Sequence, residues 1–229
     1  LVPLLVALGY SPVQAVATSS LAILITSISG TLQNWRMGYF NAKQVLYLGF
    51  PALATAQIGV YLASRIPPYV LLAAFGLLLL LNIYLVDLRK RLVAEGTHAT
   101  HADINPMMAR LGTGGSAGIL AGLFGVGGGV IMVPLQILLL GENIKTAIQT
   151  SLGVIVITAI SACIGHTLAG NVLPTEGLLL GMGGLLGAQI STRFLPKLSD
   201  AIVSLLFRGF LGVLSLYIFW QAWQSYSSF

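Results

Sequence analysis

No Asp, Glu, Lys or Arg interrupts this chain over residues 12–35, 44–64, 69–86 or 112–140. Runs of that length make a lipid bilayer the natural solvent, because crossing about 30 Å of hydrocarbon takes about 20 apolar residues at about 1.5 Å rise each. The composition agrees: 56% of the residues are hydrophobic and 7% are charged, a balance that excludes an ordinary soluble domain. Residues 144–168, 175–195 and 201–220 reach the same length with an isolated charge or two. The expected fold class is therefore an all-α polytopic membrane protein with seven complete spans. Leu1 to Leu8 is too short to cross. It reads as the C-terminal half of a span whose beginning lies outside this sequence.

Some ordinary signals are silent. The one cysteine, Cys163, forms no internal disulfide and reads as a small packing residue. No charged n-region with a cleavage site opens the chain, which proves nothing when a beginning is missing. The net charge of +5 suits anionic headgroups around the helix ends, and equally biases a pathway toward anions.

An internal repeat organises the rest. Ala15-Val-Ala-Thr-Ser19 lies over Ala147-Ile-Gln-Thr-Ser151 at a shift of 132, and Thr26 over Thr158, Ser29 over Ser161, Asn34 over His166 and Gly38 over Gly170 keep that register. Further on, Gly59, Arg65 and Pro68 match Gly187, Arg193 and Pro196 at a shift of 128. The organisation expected is a truncated first repeat at 1–88, a polar linker at 89–110 holding His98, His101 and Asp103, and a second repeat at 111–229. If each glycine-rich segment crosses once, each repeat has about four spans and the two point the same way; an odd number of extra crossings inverts them. Four plus four is the expectation. Lys and Arg then divide six to four, with Arg36, Lys43, Arg89, Lys90, Arg91 and Arg110 on one side and Arg65, Lys145, Arg193 and Lys197 on the other. By the positive-inside bias, linker and C-terminus face the cytoplasm.

Within the run 112–140 lie Gly114-x3-Gly118-x3-Gly122, then Gly125-Val-Gly127-Gly128-Gly129, then Pro134. A Walker loop needs Lys and Ser or Thr after its last glycine, but Val130 and Ile131 follow Gly129; the dinucleotide fingerprint fails at Val130. The first three glycines form a ridge for close helix contact. The cluster at 127–129 breaks the helix, and broken backbone at membrane depth is tolerated only when buried in protein or lining a wet cavity. The N-terminus of a half-helix at such a break presents free N–H groups and a positive dipole end, which suit an anion.

Gly118-Ile-Leu-Ala-Gly122-Leu-Phe-Gly125-Val-Gly127-Gly-Gly129-Val-Ile-Met-Val-Pro134, followed by Ala147-x2-Thr150-Ser151, resembles the signature of the TauE/SafE sulfite exporter family, also called the toluenesulfonate uptake permeases. A degenerate copy in Val2-Pro3-Leu4, Ala15-x2-Thr18-Ser19-Ser20 and Gly30-Thr31 strengthens the likeness, which covers nearly the whole chain. The first copy of the glycine cluster is absent, so half of the expected site is not represented. The resemblance implies a tandem-repeat protein of the plasma membrane, by default the bacterial inner membrane. It also implies a secondary transporter that moves a small sulfur oxyanion or organosulfonate, such as sulfite or sulfoacetate.

The residues themselves also point to an anion path. The helices holding Thr18, Ser19, Ser29 and Thr150, Ser151, Ser161 are rich in hydroxyls, which donate to sulfonate oxygens without adding fixed charge. Eleven residues separate Thr18 from Ser29 and Thr150 from Ser161, about three turns, so each pair shares a face. Such hydroxyls also serve as glue between helices. The expected substrate contacts are Gly125, Gly127, Gly128, Gly129, Pro134, Thr150 and Ser151, with Pro3, Thr18 and Ser19 from the first repeat. His166, with Asn34 opposite it in register, suits proton coupling or a hydrogen bond at a helix end. Arg65 and Arg193, near span ends, attract an anion or anchor to headgroups. Gln57 and Gln189 read as buried amides that tie helices together. His98, His101 and Asp103 have a weak metal spacing without a fourth ligand, so no metal site is expected. No cofactor and no nucleic-acid partner are expected; the partners are a small anionic solute, the lipid bilayer, H+ or Na+ as coupling ion, and a homo-oligomeric copy. Three functions compete: a secondary transporter, a passive anion channel, and an intramembrane enzyme or assembly factor. Catalysis has little support, since the spans hold no Asp, a single Glu176 at one end and one unpartnered Cys.

Overall fold

The computed structural model describes residues 1–94 and 105–227, and every described element is helical. In chain order these are α1 (Val2–Ala7), α2 (Pro12–Arg36), α3 (Ala42–Ala63), α4 (Pro68–Ala94), α5 (Pro106–Phe124), α6 (Gly129–Leu139), α7 (Ile144–Leu168), α8 (Pro174–Phe194), a 3-10 turn Leu195–Lys197, and α9 (Asp200–Ser227). Polar residues set the starts. Ser11 and Gln14 form a reciprocal capping box on α2, and the side chains of Asn41, Asn105 and Asn143 accept from the backbone N–H of Gln44, Met107 and Thr146, each worth about 1 kcal/mol. Helices α2 and α7 end alike. Tyr39 N–H donates to Asn34 O at 2.9 Å and Asn171 N–H to His166 O at 3.1 Å, with Gly38 and Gly170 at φ of 78° and 72°, the left-handed close in which glycine carries no Cβ penalty.

Among the described residues six helices are long and apolar enough to cross a bilayer: α2, α3, α4, α7, α8 and α9. Their outer faces expose Phe50, Leu77, Leu186, Leu216 and Trp223, apolar surface that lipid covers. Contacts between named residues fix the helix directions. A Cβ at Gly114, Gly118 or Gly122 of α5 would meet the carbonyl oxygens of Leu48, Ala52 and Ala56 of α3 in turn, so α5 runs parallel to α3. Gly49 meets Ile157 and Gly165 meets Gln57, so α7 also runs parallel to α3, while Gly177 on Leu21 and Gly181 on Ile25 set α8 parallel to α2. Helix α9 runs antiparallel to α4, with Phe219 against Gly76 and Ile83 against Gly212.

These directions correct three expectations. The run 112–140 is not one broken span: α5 rises, the chain turns at 125–128, and α6 returns beside α7 to the side from which α5 started. The halves do not point the same way, since α2, joined to α3 by a tight turn, runs opposite to α7. The shift of 128 is not the one that the helices follow. Helices α2 and α7, α3 and α8, and α4 and α9 start at residues 12 and 144, 42 and 174, and 68 and 200, each pair 132 apart.

The division of cations changes as a result. Arg36, Lys43, Arg110, Lys145, Arg193 and Lys197 all lie at the end of the bundle where α2 and α8 finish and α3, α5 and α7 begin, and α4 also ends there. At the opposite end, among the described residues, stands Arg65. Arg89, Lys90 and Arg91 close α4 at that same end, so among the described residues the expected six to four becomes nine to one, with linker and C-terminus on opposite sides. His98, His101 and Asp103 lie outside the described residues.

Candidate functional site

The turn 125–128 is shaped by glycine. Gly125, Gly127 and Gly128 have φ of 59°, 69° and 74°, a region that side-chain-bearing residues adopt rarely. Space is closed as well: a Cβ at Gly127 would lie 2.6 Å from Ile155 Cγ2 and 3.0 Å from Ile23 Cγ2, and one at Gly128 would meet the carbonyl oxygen of Ala117. Thr158 Oγ1 donates to Gly127 O at 2.9 Å, pinning the turn to α7. Ile23 and Ile155 are each the twelfth residue of a 25-residue helix, so Gly127 sits at mid-depth. Helix α6 begins there with Gly128 as its N-cap and no side chain capping it. Its first N–H groups have no acceptor within the helix and carry the positive end of its dipole.

The two hydroxyl pairs do not converge on this point. Thr18 and Ser19 lie five and four residues before Ile23 on α2, and Thr150 and Ser151 five and four before Ile155 on the opposed α7. The pairs therefore stand on opposite sides of mid-depth, about 15 Å apart along the bundle axis. Gly125 lies against α2 just before the first pair, since a Cβ there would meet Val16 O. Thr18 Oγ1 accepts from Leu173 N–H at 3.1 Å, holding the residue before α8 against α2. The Ser19 hydroxyl is buried and has no hydrogen-bond partner among the described residues. Thr150 is buried, and Ser151 Oγ accepts from Gln136 Nε2 at 3.0 Å. Pro134 lies within α6, and the carbonyl of Pro3 in α1 accepts from Gln221 Nε2 of α9. As expected from its spacing, Ser29 shares the α8-facing side of α2 with Thr18, donating to Leu185 O at 3.1 Å.

The model of the family described as sulfite exporter TauE/SafE matches residues 1–218. The chain belongs to the TauE/SafE family. It is 31% identical over 197 residues to a probable membrane transporter protein, y4hK, of Sinorhizobium fredii, covering 82% of this chain and 76% of that one. It is 26% identical over 220 residues to the probable membrane transporter protein YdhB of Bacillus subtilis, covering 94% and 90%. A third relative, a probable membrane transporter protein of a Sinorhizobium species, is 28% identical over 193 residues, covering 84% and 73%. No solved structure matches significantly. Family, relatives and six apolar helices together make this a multi-pass transporter protein of the membrane, the plasma membrane in bacteria.

Other polar groups of this TauE/SafE chain bind helix to helix. Gln57 Nε2 donates to Ser161 O and Oγ at 2.6 and 2.8 Å, and Gln189 Nε2 to Ser29 O and Oγ at 3.0 and 2.9 Å. Gln57 and Gln189 stand 132 residues apart in the sequence, as do Ser29 and Ser161. The amides are the ties expected of them. His166 is fully buried with Nε2 3.0 Å from Gly122 O, and its Nδ1 has no partner among the described residues. Asn34 is equally buried with both amide atoms unpartnered. Arg65 and Arg193 stand at opposite ends of the bundle instead of one mouth, and Arg65 lies over the Tyr61 ring at 5.2 Å. Tyr10 Oη donates to Glu176 Oε1 at 3.0 Å, and that carboxylate raises the phenol above its ordinary pKa. Sequence reasoning missed Gln136, which is fully buried, donates to Ala147 O and Ser151 Oγ, and leaves Oε1 unpartnered. The signal available was an amide two residues after Pro134 in an otherwise apolar run.

Proposed function

We propose that this TauE/SafE protein is a secondary transporter for a small sulfur-containing anion, either sulfite or an organosulfonate such as sulfoacetate. It works by alternating access around the glycine break. The observation that carries this reading is the start of α6 at mid-depth, where uncapped N–H groups and a helix dipole face the junction of Ile23 and Ile155. An anion is stabilised there without a buried cation. Gly127, Gly128 and Gly129 form the contact, and the hydroxyls of Thr18, Ser19, Thr150 and Ser151 mark the two approaches from either side of mid-depth. The chain is an inverted repeat: the constant shift between helix starts, the matched pairs Gln57–Ser161 and Gln189–Ser29, and the opposed directions of α2 and α7 support this. Inverted repeats give a transporter two related conformations, one open to each side.

Export of a monovalent anion needs no coupling ion. An interior-negative potential contributes about 2.3 kcal/mol per charge per 100 mV, and uptake would draw on H+ or Na+, with His166 the side chain placed to carry a proton. Protein reconstituted in liposomes and offered labelled sulfite, thiosulfate, sulfoacetate and an aromatic sulfonate should give saturable flux and counterflow for one class. Flux that never saturates would make it a channel. No flux under proton, sodium or voltage gradients would refute transport of these anions.

A further inference from the structure

The hydrogen bonds sort the central helices into two groups, and each group draws on both halves of the chain. Helices α2 and α8 are joined along their length by Tyr10–Glu176, Thr18–Leu173 and Ser29–Gln189. Helices α3, α5, α6 and α7 are joined by Gln44–Glu142 at 2.7 Å, Thr55–Gly115, Gln57–Ser161, His166–Gly122 and Gln136–Ser151. The repeat sets Tyr10 over Glu142 and Gln44 over Glu176, so each group is clasped at the place where its two continuous helices begin, on opposite faces of the membrane.

The seam between the groups is different. Where α2 meets α7 and the glycine turn, Gly30 touches Leu152, Gly127 touches Ile23 and Gly125 touches Val16. Among the described residues no side-chain hydrogen bond joins α2 to α5, α6 or α7. Small and aliphatic contacts can slide without leaving a polar group unpaired, which is what a moving interface needs. At the basic end one polar tether leads from α7 to the 3-10 turn after α8 and the first residue of α9: Lys145 Nζ lies 3.4 Å from Pro196 O and 3.4 Å from Asp200 Oδ1. Ile144, Val203, Leu195 and Leu198 pack beneath it. In the first half the matching positions hold Val13, Ser64 and Pro68, which cannot form such an ion pair, so the opposite end has no counterpart.

We propose that the α2–α8 group moves against the α3–α5–α6–α7 group along this seam, and that Lys145 with Asp200 is a one-sided lock that holds the seam closed at the basic face. This deepens the alternating-access reading and rests on it. Both partners of the lock are partly exposed to solvent, with side-chain exposures of 26% and 59%. A pair in that setting is weak, which suits a link that breaks in every cycle.

The test reads water access to the seam and needs no substrate, so a failed anion flux leaves it interpretable. Ile23→Cys is placed in Cys163→Ala protein, and the rate of labelling by a membrane-impermeant maleimide is measured separately from each side. Lys145→Gln and Asp200→Asn should each raise labelling from the basic side severalfold, and the double variant should rise no further than either single one. Lys197→Gln, at the same end with its ammonium over the Phe194 ring, should change nothing. An unchanged rate in both single variants, an equal rise from both sides, or an equal rise with Lys197→Gln would overturn the lock.

Discussion

Gln57 and Gln189 each place one amide on a serine carbonyl and hydroxyl of a neighbouring helix. Hydrogen bonds between membrane helices average about 0.6 kcal/mol and reach about 1.7, so Gln57→Leu and Gln189→Leu should each lower stability by about 1 kcal/mol, in nearly equal measure. Unfolding titrations of the purified protein check this, and sharply unequal losses would count against the two sites being equivalent. Tyr10 is a second case. Glu176 raises its phenol pKa in the folded state, so the stabilisation is complete below the ordinary value of about 10 and is lost as pH rises through the raised one. Tyr10→Phe should be less stable at neutral pH and lack that alkaline step in a pH series of melting curves. The amides at 57 and 189 were legible as helix ties because a glutamine in an apolar run must find a partner. Their serines were not identifiable as those partners, since periodicity fixes a face of one helix and not the neighbour that the face meets.

At the scale of elements, the ridge Gly114, Gly118, Gly122 was legible and lies against α3 as close helix contact requires. Gly118→Leu would drive side-chain atoms into Ala52 O and Thr55 Oγ1 and should cost several kcal/mol or prevent folding. Gly112 and Gly183 have open space around the Cβ position, so alanine at either should raise thermal stability by up to about 1 kcal/mol. A melting series across the three positions separates crowding from propensity. The turn back at 125–128 was not legible. Consecutive glycines announce a break, but its direction depends on Gly125 meeting Val16 O and Gly127 fitting between Ile23 and Ile155, contacts with helices distant in sequence. The single crossing expected over 112–140, and the same-way halves that followed from it, failed for that reason.

On the scale of the whole molecule, nine described cations at one end against Arg65 at the other place the basic end at the cytoplasmic leaflet by the positive-inside bias. In Cys163→Ala protein in intact cells, an impermeant maleimide should label Thr175→Cys and Ser64→Cys. It should reach Ser199→Cys only after permeabilisation, and the reverse pattern would invert the orientation. The shift of 132 was readable near Thr18 and Thr150, where polar residues punctuate the helices. It slipped by one turn, to 128, near Arg65 and Arg193, where glycine and proline recur at helical spacing in otherwise uniform apolar sequence. The central claim is passage of a sulfur-containing anion through the glycine break, and the most direct measurement compares intact protein with Gly128→Leu in liposomes loaded with labelled sulfite. Leucine at φ of 74°, against the carbonyl of Ala117, should close the break and abolish saturable flux in protein that remains folded by circular dichroism. Flux at the native rate through folded Gly128→Leu protein would contradict the account.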